Sequence, residues 1–107
     1  MSGGGGGGGS WIPTNNDACE TLTEILPLNS PVPTVLRGLS PGDILEIEAR
    51  PTNNSVIVVA LSQGAIAGTI TSAIFQRIAE CIDGGFEYVA EVLEIQGAVC
   101  KVRVRRK

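Results

Sequence analysis

A chain of 107 residues has room for one small domain and no second core. Apolar residues at 43% against 18% charged exclude a disordered polymer, and only four aromatics leave the core to aliphatic side chains. Histidine is absent, which excludes serine–histidine and cysteine–histidine nucleophile pairs and removes the usual general base.

The net charge of −3 hides an uneven distribution. Residues 1–100 hold Arg37, Arg50 and Arg77 against all eleven acids, while the closing KVRVRRK carries five cations. An acidic body with a basic end is a poor footprint for a nucleic-acid face spread over the domain, and leaves room only for a local basic strand end. The three cysteines, Cys19, Cys81 and Cys100, form an odd set with no secretory leader pattern before them. Free thiols in a reducing, cytoplasmic setting are the expectation, with pairing left open. No apolar run is long enough for a membrane span.

Taken in chain order, residues 1–13 read as a flexible glycine-rich leader and residues 14–107 as a single small barrel-like domain. Seven consecutive glycines lose the most backbone entropy on ordering and bury nothing. Trp11 is expected to fold back as a lid, with a partner anchor as the alternative. Residues 19–28, CETLTEILPL, predict a first strand. Pro33 with Gly38 frames one helical turn. Ser40-Pro41-Gly42-Asp43 is a turn signal. Behind it Leu45, Ile47 and Ala49 alternate with Glu46, Glu48 and Arg50, a half-buried strand. Residues 56–61, VIVVAL, are apolar on both faces and predict a central strand. A hairpin through Ser62-Gln63-Gly64 leads to a strand over 65–70.

The stretch 64–85 organises the rest, because it holds the one long helical pattern, about 72–83. Thr71 or Ser72 is the expected N-cap. Ile74, Phe75, Ile78, Cys81 and Ile82 form the buried stripe, and Gly84 is the expected left-handed stop. Strands over 87–95 and 98–105 close the chain as a hairpin. A three-residue loop with a bulge at Gly97 sets Tyr88, Ala90 and Val92 on the inner face with Cys100, Val102 and Val104. It also sets Glu91 opposite Lys101 and Glu87 opposite Arg105. The expected fold class is α+β: a small, mostly antiparallel curved sheet or barrel of about six strands with one main helix.

Sites for chemistry are sparse. Glu46, Glu48, Glu87, Glu91 and Glu94 fall on solvent faces, so no catalytic residues are assigned. The cysteines lack CxxC pairing, so no metal site and no cofactor is expected. Gly64-Ala65-Ile66-Ala67-Gly68 lacks a Walker lysine, and Gly68 is better explained by close approach of another backbone.

From Gly42 onward the pattern resembles the HIRAN domain, a small barrel-like module of helicases and DNA-repair proteins. The matching features are Gly42-Asp43 before a strand, the Arg50-Pro51 to Asn54 turn, the two-sided strand 56–61, the segment 64–70, the helix and the strand after it. The usual Asn-Pro-x-Asp stretch and following Ala-Ile are replaced here by Pro51-Thr52-Asn53-Asn54-Ser55-Val56-Ile57. The resemblance implies binding of single-stranded nucleic acid or DNA ends. Lys101, Arg103 and Arg105 on the outward face of the last strand, Arg106 and Lys107 beyond it, and Phe86 are the candidate contacts. The expectation is therefore a non-catalytic binding module. The alternative is an accessory subunit that docks a protein through a sheet edge or Trp11.

Overall fold

The computed structural model describes residues 16–107. The leader and Trp11 lie outside the described residues. The elements run α1 (Asn16–Thr21), β1 (Thr23–Pro27), α2 (Pro33–Leu36), β2 (Ile44–Pro51), β3 (Val56–Ser62), β4 (Ala65–Ile70), α3 (Phe75–Asp83), β5 (Tyr88–Gln96) and β6 (Val99–Arg106). Strand order is β1-β6-β5-β2-β3-β4, antiparallel throughout. The sheet curls until its ends meet. Asn29, just past β1, exchanges two 2.8 Å backbone hydrogen bonds with Thr69 of β4, and Val32 N–H donates to the Ala67 carbonyl at 2.9 Å. The fold is thus a curled six-stranded antiparallel sheet with little helix.

Alternation in the strands builds the core on the inner face. Leu45, Ile70, Val92, Val102 and Val104 meet Ile78 and Cys81 of α3 there, all at most 1% exposed. β3 is two-sided, as its composition predicts: Val58 and Ala60 join the core, while Val59 and Leu61 are buried on the opposite face. Gly68 sits under the meeting point of the sheet ends. A Cβ there would lie 2.9 Å from Leu28 Cβ and 3.0 Å from the Asn29 carbonyl oxygen, so only glycine admits that approach.

Several local expectations are corrected. Residues 19–28 do not form one strand: Cys19 belongs to helix α1 and only Thr23–Pro27 is extended. Tertiary ties override the β-propensity of the threonines. Cys19 is disulfide-bonded to Cys81 of α3, and the Tyr88 hydroxyl donates to the Cys19 carbonyl. The pairing left open by the sequence is thus Cys19 with Cys81, and the expectation of free thiols holds for Cys100 alone, which is buried.

The main helix begins at Phe75, because residues 71–74 are used as a turn closed by Phe75 N–H to the Ser72 carbonyl at 3.0 Å. Neither Thr71 nor Ser72 caps it: Ile74 occupies that position, and Ser72 Oγ is buried without a partner. The left-handed stop is Gly85 (φ 103°), not Gly84 (φ −83°). Phe86 N–H reaches the Cys81 carbonyl and Gly85 N–H the Ile82 carbonyl, both at 3.0 Å, the paired bonds of a Schellman end.

In the last hairpin the predicted faces hold and the predicted pairing does not. Tyr88, Ala90, Val92, Cys100, Val102 and Val104 are all buried. Glu91 pairs with Arg103 rather than Lys101, and Arg105 lies opposite Val89 rather than Glu87. The loop is the two-residue Gly97-Ala98 with φ 60° at glycine, the pattern of a type II′ turn, and the bulge falls at Leu93. A displacement of two residues keeps every side chain on its own face.

Candidate nucleic-acid interface and open sheet edge

β6 places its side chains by strict alternation. Cys100, Val102 and Val104 are fully buried, so Lys101, Arg103 and Arg105 must point outward. There they meet the acids of β5. Glu91 Oε1 lies 3.3 Å from Arg103 Nη1 and 3.8 Å from Arg105 Nε. Lys101 Nζ is 3.6 Å from Glu94, and Lys107 Nζ is 3.7 Å from Glu87. Ion pairs this exposed (41% for Arg103, 30% for Glu91) contribute little, about 0–1 kcal/mol each, and salt screens them further.

Arg106 differs. Its guanidinium carbon lies 5.4 Å from the centre of the Phe86 ring, and it has no carboxylate partner among the described residues. Phe86 is held there by the glycine stop of α3 and by its own N–H bond to Cys81. Beneath it Tyr88 is buried, which pushes its hydroxyl pKa up, an effect the Arg106 charge partly offsets. The structure thus brings Phe86 and Arg106 together at one end of β6, with Lys107 on a shared cleft that Phe86 also lines. Lys101, Arg103 and Arg105 stand on the opposite face of the strand from Arg106, which pairs with the core residue Tyr88, and each of the three faces acid. Two acids, Glu46 and Glu87, line the Phe86 cleft too, and its volume of about 230 Å³ is below that of small-molecule pockets. No group of three potential metal ligands occurs among the described residues.

A second feature lies on the other side of β6. Leu28 N–H donates to the Cys100 carbonyl at 2.9 Å. In an antiparallel ladder that phase turns the backbone groups of Leu28, Leu26 and Glu24 toward β6, and those of Thr23, Ile25, Pro27 and Asn29 away from it. Asn29 confirms the phase by bonding to Thr69. The outward N–H and C=O of Thr23 and Ile25 have no partner among the described residues. Ile25 is also 53% exposed. Among the described residues β1 is therefore an open edge. Its sequence signal was Pro27, a residue that strands admit at edges, but next to Pro31 and Pro33 it reads only as a chain break. The disulfide and the double pairing of Glu91 carried no sequence signal at all.

No family model, no curated protein and no solved structure matches this chain.

Proposed function

We propose that the chain is a non-catalytic, HIRAN-like binding module that takes single-stranded nucleic acid at the end of β6. Phe86 and Arg106, on the core-side face at the end of β6, offer a stacking platform for a base, and the phosphates pass round that end to Lys107 and to Arg105, Arg103 and Lys101 on the outer face. The observation that carries this reading is Arg106 over the Phe86 ring, a cation and an aromatic face together, with the guanidinium paired to no carboxylate among the described residues. The weak exposed pairs along β6 support it as well, since a polyanion exchanges with Glu91 and Glu94 at small cost.

Fluorescence anisotropy with a labelled oligothymidylate tests it. Binding is expected at low salt, falling as salt rises. Arg105→Ala should flatten the salt slope by about one, and Phe86→Ala should weaken binding by roughly 1–3 kcal/mol with little change in slope. No detectable binding at low salt sinks the reading.

A second reading, docking of a protein partner at a sheet edge, is favoured by the unpartnered backbone of Thr23 and Ile25.

A further inference from the structure

From the open edge we infer that β1 pairs with β1 of a second copy of this chain, in an antiparallel register centred on Ile25. The inference rests on the edge-docking reading above and names its partner.

Four features of the edge point to self-pairing. First, antiparallel pairing of a strand with its own copy is two-fold symmetric, so one patch serves both partners. Second, the register is decided by the residues. Centred on Ile25, each Ile25 exchanges both backbone bonds with its counterpart, and each Thr23 N–H donates to the Pro27 carbonyl of the other copy. The N–H that Pro27 lacks then falls at the rim, opposite the Thr23 carbonyl, where water replaces it. Centred on Glu24, the strands would set two glutamates directly opposite each other, a like-charge pair. Centred on Leu26, they would need the backbone of Asn29, which Thr69 already holds. Third, the Ile25 register brings together two isoleucine side chains that are each 53% exposed in the single chain. Fourth, the far edge of the sheet is covered: β4 is bonded by Asn29 at Thr69 and by Val32 at Ala67. Edge-to-edge growth through β1 onto β4 is thereby blocked, and the association closes at two copies instead of forming a fibre.

The test is sedimentation of the full chain over a range of concentrations, with backbone amide exchange read at Ile25. The expected result is a mass rising from one chain toward two, with the Ile25 amide increasingly protected over the same range. Ile25→Pro removes an N–H that makes no bond to β6, and should give a folded monomer. Ile25→Lys keeps that N–H but sets two charges at the symmetry axis, and should also be monomeric, which guards against proline having disturbed the strand. A single-chain mass at every concentration with a freely exchanging Ile25 amide overturns the inference. So does a dimer that survives both variants. A synthetic peptide spanning residues 22–28 separates the two levels. If it protects the Ile25 amide of a chain that stays monomeric, the edge docks strands but not its own copy. If it does not, edge docking falls as well.

Discussion

Asn29 and Thr69 face each other across the gap between the first and last strands of the sheet, and their two 2.8 Å backbone bonds join its ends. The approach is possible because residue 68 has no side chain. Leu28 and Asn29 fill the space where a Cβ would stand. Closure of the fold thus depends on a single glycine in β4.

Gly68→Ala should therefore cost about 1–3 kcal/mol, the range for overpacking a site that cannot yield. The neighbours are the Leu28 side chain and the Asn29 carbonyl, and the second is backbone. Urea denaturation measures the loss. Amide exchange adds the location: Asn29 and Thr69 should lose protection before the centre of the sheet does. A neutral substitution would mean that the sheet ends are not held together in solution.

The disulfide ties α1, a helix too short to persist alone, to the middle of the fold. It encloses a separation of 62 residues, for which the chain-entropy model gives on the order of 4 kcal/mol. Reduction, or the double variant Cys19→Ala with Cys81→Ala, should lower stability by an amount of that order. Cys100 should stay unreactive toward a thiol reagent until the chain unfolds, because it is fully buried. Equal urea midpoints with and without a dithiol reductant would show that the bridge adds nothing.

Two buried groups make stability sensitive to alkali. Burial raises the Cys100 thiol above its ordinary 9.0 and the Tyr88 hydroxyl above its ordinary 10.0. In each case the folded state holds the proton more tightly than the unfolded state. The associated stability is fully present below the unfolded value and is lost as pH rises through the folded one. The urea midpoint should thus be flat near neutrality and fall above about pH 9. Cys100→Ala should remove the earlier part of that fall and leave the part due to Tyr88.

How much of this was readable from residues follows from what each residue's neighbours are. The alternation of Leu45, Ile47 and Ala49 with charged residues set the faces of β2 without reference to anything distant. The two-sided β3 was readable for the same reason. In the closing hairpin the faces were readable, but the pairing was not. The bulge lies at Leu93, where Val92-Leu93 is apolar on both sides and leaves no mark in the pattern. A two-residue error in pairing then moves every ion pair while leaving the core unchanged. Cys19 shows the opposite limit. Its neighbours Thr21 and Thr23 suit a strand, and the helix exists because Cys81 and Tyr88, both far along the chain, hold it. Of the candidate interface, the outward set of Lys101, Arg103 and Arg105 followed from alternation. The pairing of Glu91 with two arginines depends on register and side-chain reach, and neither is written locally.

That pairing gives the sharpest test of the nucleic-acid reading. Glu91 Oε1 contacts both Arg103 and Arg105, and no other described carboxylate does. Glu91→Gln keeps the size and polarity of the side chain and removes its charge. Stability should change by less than about 1 kcal/mol, since the pairs are exposed. If β6 contacts phosphates, oligonucleotide affinity should rise, because two arginines no longer need to leave a carboxylate. The salt slope should steepen at the same time, by up to about two if both arginines were withheld from phosphate by Glu91. A variant that binds with unchanged affinity and slope would show that Arg103 and Arg105 serve only to hold the sheet. The nucleic-acid reading would then rest on the Phe86–Arg106 end and on Lys101 and Lys107, whose partners are Glu94 and Glu87.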